Sequence, residues 1–164
     1  MAIYKVTGIG EHKKFFDESS YNDAINYIID PQKAYYHGGA NVSSITNAAD
    51  EMLRVSIAFG KNSGKRLRHS ILSFNDSDVV TPEMADAFAR QIITHYSPYF
   101  QIVYAVHTNT RHVHIHFVMN QISFVDGNRY YGKKQDYYSF QRHMKSVTHL
   151  PVIMSKDAEI ELWK

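Results

Sequence analysis

Four of the ten histidines in this 164-residue chain fall between His107 and Asn120, a stretch reading His-Thr-Asn-Thr-Arg-His-Val-His-Ile-His-Phe-Val-Met-Asn. Residues 101 to 107 and 112 to 120 are rich in β-branched and aromatic types, with a polar break at Thr108 to Arg111, which predicts two antiparallel strands joined by a turn. Side chains alternate along a strand, so His112, His114 and His116 share one face, while Val113, Ile115, Phe117 and Met119 point to a core. His107, at the end of the preceding strand, then crosses the hairpin to complete a cluster with His114 and His116. Imidazoles offer neutral nitrogen donors to Zn, Mn, Ni or Fe. Gathering several is favourable when a cation compensates for their lost hydration, and three ligands leave positions open for a substrate oxygen, as in a catalytic rather than a closed structural site.

The elements that must carry this hairpin can be read along the chain. Residues 3 to 9 alternate like a first strand. Ser19 or Ser20 can cap a helix from about Asn22 to Ile29, which Pro31 ends. On it Tyr21, Ile25 and Ile28 have the spacing of a buried stripe, and Tyr27 lies off that stripe, free to face something else. A turn-rich segment follows, with a short strand expected around Asn41 to Ser44. Thr46 or Asn47 caps a second helix to about Phe59, ended by Gly60. His69 to Phe74 reads as a strand, and Thr81-Pro82-Glu83 is a helix start, with Met84, Ala87, Phe88 and Ile92 expected to pack inward. Asp126-Gly127 marks a turn, and a last helix runs from Asp136 to His149. The order predicts an α+β domain, a largely antiparallel β-sheet flanked by α-helices, spanning 1–164 as one unit, which could be the N-terminal part of a longer protein.

Composition narrows the chemistry. Cysteine is absent, so disulfides and thiolate ligands are excluded and any metal must sit on nitrogen and oxygen donors. No apolar run is long enough to cross a bilayer, and the N-terminus does not read as a signal peptide, so a cytoplasmic protein without membrane insertion is expected. The net charge of +2 permits an anionic partner without demanding one. Lys61 to Arg68 gathers Lys61, Lys65, Arg66 and Arg68 on one loop, where phosphate contact and plain solvation are comparable readings. Twelve Tyr and nine Phe supply a core and also stacking surfaces for bases.

Three ordered segments carry a family resemblance. Asn26-Tyr27-Ile28-Ile29-Asp30-Pro31-Gln32-Lys33 resembles the motif bearing the nucleophilic tyrosine in the relaxase/mobilisation nuclease family of conjugative plasmids and integrative elements. Arg68-His69-Ser70-Ile71-Leu72-Ser73-Phe74 with the segment from Val80 to Ala85 resembles their middle segment. His107 to Asn120 is similar to the His-hydrophobic-His strand of the HUH endonuclease superfamily. The resemblance implies Tyr27 as nucleophile and His107, His114 and His116 as metal ligands. His112 would be a proton acceptor, a DNA contact or a support for the ligands, and Asn109 and Asn120 would be further supports. Asn109 stands where the family usually carries Asp, which keeps a hydrogen-bonding oxygen and removes a charge. Arg111, Arg129, Lys133 and Lys134 would join the basic loop in holding phosphates. The implied reaction is metal-assisted transesterification of single-stranded DNA at a transfer origin, with Mn²⁺ or Mg²⁺ in function and Zn²⁺ or Ni²⁺ able to occupy the site. Relaxosome accessory proteins and a coupling protein would be partners, in the bacterial cytoplasm.

Rival readings remain at this stage. A metal-stabilised single-strand DNA-binding remnant would form no covalent adduct. A rolling-circle initiator or transposase would place its tyrosine after the histidine strand, among Tyr130, Tyr131, Tyr137 and Tyr138. Tyr35 and Tyr36 are competing nucleophiles within the relaxase reading, and a small-substrate metallohydrolase would need a base that no spacing indicates.

Overall fold

The computed structural model describes residues 1–9 and 11–155. A six-stranded sheet is built from β1 (Ala2–Val6), β2 (Ala34–Ala40), β3 (Leu67–Phe74), β4 (Ile102–His107), β5 (His114–Asn120) and β6 (Val152–Met154), in the order β2-β4-β5-β3-β1-β6. All neighbouring pairs are antiparallel except β1 with β6. The helices are α1 (Ser19–Ile28), α2 (Ala48–Ala58), α3 (Pro82–Ile92) and α4 (Lys134–Thr148). The α+β class and the antiparallel sheet are as expected. The edge strand β6, parallel to β1, was not foreseen.

Strand alternation gives the sheet two apolar faces. Ile102, Tyr104 and Val106 of β4, with Ile115, Phe117 and Met119 of β5, pack with α3 and α4 residues such as Ala89, Ile92, Phe140 and Met144. Val103, Ala105 and Val118 point the other way, with Leu67, and are covered by Tyr21, Ile25 and Ile28 of α1 and Ala48 and Met52 of α2. The predicted α1 stripe is therefore the buried one. Tyr27, two residues from Ile25, is 52% exposed.

Several local expectations are corrected. The strand expected at Asn41–Ser44 lies earlier, at Ala34–Ala40, where Gly38 lacks the Cβ that would meet the Tyr104 ring at 2.8 Å. Helix α1 starts at Ser19, so neither Ser19 nor Ser20 caps it, and Asn47 precedes α2 without a side-chain capping bond. Thr81 does cap α3, accepting from Met84 N at 3.1 Å. The buried face of α3 is Ala85, Asp86, Ala89 and Ile92, while Met84 is exposed. Small alanines allow the helix to approach the sheet, and Asp86 accepts from the Tyr104 hydroxyl at 2.6 Å.

Asn120 ties both layers together. Its amide donates to Met52 O at 3.1 Å and Gln101 Oε1 at 2.9 Å, and its oxygen accepts from the Tyr21 hydroxyl and from Ile122 N, both at 3.2 Å. The residue is fully buried, so Asn120→Ala leaves several polar groups without partners. The unfolding free energy is expected to fall by about 3 kcal/mol, measured by urea titration.

Candidate metal and nuclease site

The hairpin pairs His107 with His114 and Ala105 with His116 in antiparallel register, and β3 places Ile71 opposite His116. All three imidazoles therefore emerge on the sheet face that α1 and α2 cover farther along. They stand where α1 ends, and that end leaves them room. One ring nitrogen from each of His107, His114 and His116 lies within 4.8 Å of the other two. A group of this size and chemistry can hold a metal ion, since three imidazole nitrogens can share one coordination sphere.

Hydrogen bonds decide which nitrogen each ring can offer. His107 Nε2–H donates to Ile28 O at 2.6 Å, leaving Nδ1 as the donor atom. His114 Nδ1–H donates to His112 O at 2.9 Å, leaving Nε2. The Ile28 carbonyl belongs to the last turn of α1, whose partial negative charge favours a cation nearby. Both orienting acceptors are main-chain carbonyls, a common way to fix a metal-bound imidazole.

Burial lowers the basicity of the cluster. His69 is pushed down to about 4, mainly by desolvation, with repulsion from His107 and Lys14 adding to it. Desolvation also lowers His107 and His114, and it holds His116 well below the usual histidine range. In the unfolded chain each group takes up a proton near pH 6.5. Below that pH the unfolded state binds more protons, so the ion-free protein loses stability as pH falls from about 6.5 towards 4. In chelator, urea titrations at pH 7 and pH 5 should differ by at least about 2 kcal/mol, with the lower stability at pH 5.

Tyr27 stands beside this cluster. Its ring meets His116 edge-on at 5.9 Å and His69 at 6.4 Å, and Lys33 Nζ lies 4.2 Å from its centroid. Two open clefts meet at Tyr27, Ile71 and His116: one of about 390 Å³ that includes Lys33, Asn109 and His112, and one of about 590 Å³ that includes Lys5, Thr7, Lys14 and Phe15. The other tyrosines considered as nucleophiles are placed differently. Tyr36, Tyr130 and Tyr137 pack on the α3 and α4 side of the sheet. Tyr35 is exposed at a bulge between β2 and β4 and pairs with Tyr36, while the exposed Tyr138 lies against Tyr137 and Tyr131 is exposed.

The remaining expected site residues are dispersed. The ladder begins at His114, so His112 lies in the connection and not on the strand face; its Nδ1 is 3.1 Å from Asp76 Oδ1. Arg111 pairs with the same carboxylate at 2.9 Å and, with His112, holds it below the usual carboxylate range. Asn109 lines the smaller cleft. Asn120 is a core clamp, four residues along β5 from His116. Arg66 is 7% exposed, its guanidinium bound to Phe16 O and Asn62, and Arg68 lies over the Tyr130 ring on the opposite sheet face. Lys61 donates to Gly127 O, and Arg129 donates to Lys65 O and Ser63 O, which ties the basic loop to the 126–129 turn. That loop joins β3 at Leu67, about 20 Å along the strand from Ser73, the partner of His114. Lys133 and Lys134 are exposed at the start of α4. The cations at the clefts are instead Lys5, Lys14 and Lys33, which no charge run signals. His69 and Thr7 were also missed as partners of the cluster; His69 falls within the quoted middle motif, but only the sheet register brings it to His116.

An exposed tyrosine near the end of α1 thus stands beside a three-histidine hairpin. Residues 27–149 match the family model described as Relaxase: MobA/VirD2-like, nuclease domain, and the chain belongs to that family. Among curated proteins it is similar to three from Staphylococcus aureus, each named Protein rlx. They are 26%, 25% and 27% identical to it over 122 residues, which cover 74% of this chain and 38%, 37% and 36% of those proteins. The chain thus spans little more than a third of the length of these relatives. No solved structure matches it significantly. Among the described residues, no helix is long and apolar enough to cross a membrane.

Proposed function

We propose that this chain nicks and rejoins single-stranded DNA at a transfer origin through a 5′-phosphotyrosyl intermediate on Tyr27, with His107, His114 and His116 holding the metal. The observation that carries the reading is the exposed Tyr27 ring set edge-on against His116, at the junction of two open clefts. A divalent ion held by the three imidazoles would neutralise the scissile phosphodiester and polarise it towards attack.

Tyr27 Oη forms a bond to phosphorus as the bond from phosphorus to the 3′-oxygen breaks. The phenolic proton leaves to an acceptor, and the departing 3′-oxygen gains one. His112 is suited to accept, because the Asp76 carboxylate faces its ring and compensates the charge it gains. The number of phosphoester bonds is unchanged, so the 3′-hydroxyl can reverse the step and reseal the strand. Lys33 borders the smaller cleft and supplies a phosphate contact near the reacting atom, while Lys5 and Lys14 serve the larger one. Asn109 contributes a neutral oxygen to the same wall. The working ion is Mn²⁺ or Mg²⁺, though a site of three imidazoles also accepts Zn²⁺ or Ni²⁺. Accessory and coupling proteins would deliver the origin in the cytoplasm.

The test is covalent capture. The protein is incubated with Mn²⁺ and a pool of single-stranded oligonucleotides, and denaturation-resistant adducts are digested and sequenced by mass spectrometry. A nucleotide on the peptide containing Tyr27 is the expected result. Binding with no adduct would favour the noncatalytic DNA-binding reading, and an adduct on Tyr35 or Tyr36 would reassign the nucleophile.

A further inference from the structure

His116 differs from the other two histidines in what orients it. Its Nδ1 lies 2.8 Å from His69 Nε2, and the two rings are within 8° of parallel with centroids 5.0 Å apart. That separation is what an N···N hydrogen bond within the ring plane requires, so the rings sit edge to edge in one plane and are not stacked face to face. On its far side His69 places Nδ1 2.8 Å from Thr7 Oγ1, and the Thr7 hydroxyl donates to His69 O at 3.3 Å. In the arrangement where the Thr7 hydroxyl keeps that bond, Oγ1 accepts from His69 Nδ1–H. His69 Nε2 is then an acceptor, His116 Nδ1 must carry a proton, and the lone pair of His116 is left on Nε2.

We propose that His69, set by Thr7, is the positioning residue that selects the metal-binding tautomer of His116. The proposal rests on the metal reading of the three histidines, but the tautomer it specifies exists without an ion. It assigns a role to a conspicuous choice of residue type on β3. Position 69 faces the same side of the sheet as Ile71 and Ser73, and an apolar side chain there would satisfy packing. An imidazole instead provides an acceptor at the one point His116 needs it, on an element independent of the hairpin. The neutral imidazole acceptor also leaves the charge of the site unchanged, where a carboxylate in that place would add a negative charge.

Nitrogen-detected correlation NMR on chelator-treated protein reads the tautomer directly, and calorimetric titration with Mn²⁺ and Zn²⁺ reads its consequence. In the wild type, His116 should show Nδ1 protonated and Nε2 bare. His69→Leu should move His116 towards the Nε2-protonated form and weaken metal binding by about 10- to 100-fold. His69→Gln, whose side-chain oxygen can reach the former Nε2 position, should restore affinity to within a few-fold of the wild type. Thr7→Val should allow His69 to change tautomer and give an intermediate loss. Backbone amide spectra verify that each variant is folded. A folded His69→Leu protein binding both ions as tightly as the wild type would overturn the proposal, as would a wild-type His116 protonated on Nε2. Either result leaves the Tyr27 adduct assay, and with it the nuclease reading, standing. Conversely, a wild type lacking any adduct but showing the specified tautomer and metal response would sink the nuclease reading alone.

Discussion

Replacing Tyr27 with Phe is expected to abolish the covalent DNA adduct, a loss of at least about 10³-fold, because the substitution removes the atom proposed to bond to phosphorus. The ring, and with it the edge contacts to His69 and His116 and the Lys33 cation over its face, is retained. Stability and metal affinity should therefore change little, since an exposed hydroxyl contributes little to either. Single-stranded DNA should still bind. The measurement is the adduct assay run beside Mn²⁺ titration of the same sample. An undiminished adduct in Tyr27→Phe would exclude Tyr27 as the nucleophile, whatever its proximity to the histidines.

His116→Ala should have the largest effect on metal binding, weakening it by about 100-fold or more and reducing adduct formation in parallel. His116 is 3% exposed and sits between the other two histidines of the group and His69, with His107 and His114 centroids at 4.1 and 5.0 Å. Its removal takes one nitrogen from the proposed coordination sphere and leaves His69 Nε2 without its partner. The effect should exceed that of His69→Leu, which leaves all three ligands in place. In the ion-free state the change in stability should be smaller than packing alone suggests, because a desolvated imidazole is removed along with its contacts. Equal metal affinity in His116→Ala and the wild type would place the ion elsewhere.

The hairpin was readable because its signals are local. Alternation fixes which face His114 and His116 share, and a short connection forces His107 opposite His114. Tyr27 was readable for a similar reason, since 3.6-residue periodicity separates it from Tyr21, Ile25 and Ile28. Strand β2 was not, because Gly38 and Gly39 read as turn residues when their purpose is to admit the Tyr104 ring and the β4 backbone. The inward face of α3 was read only in part: Ile92 is buried and Phe88 packs on the core, but Met84 and Ala87 are exposed, while Ala85, Asp86 and Ala89 are buried, Asp86 against the Tyr104 hydroxyl. The partnership of His69 with His116 depends on the register of β3 against β5, and that of Thr7 with His69 on β1 against β3. Such pairings join residues 47 and 62 positions apart. Local spacing carries no trace of them. The basic loop shows the converse: its charge run is visible in sequence, but the run does not tell that Arg66 gives its guanidinium to Phe16 O and Asn62 O.

The last turn of α1 carries the proposed nucleophile at Tyr27 and, one residue later, the carbonyl that holds His107. These two functions therefore share a single hinge. If that turn frays, the phenol loses its aim at the same moment that His107 loses the acceptor fixing its ring. Occupancy of the three imidazoles and order in the helix end are thermodynamically linked, each raising the other's equilibrium population. A loaded site would thus be biased towards an aimed tyrosine. An ion held there would act as a clasp on a helix terminus, in addition to any part it took in bond cleavage.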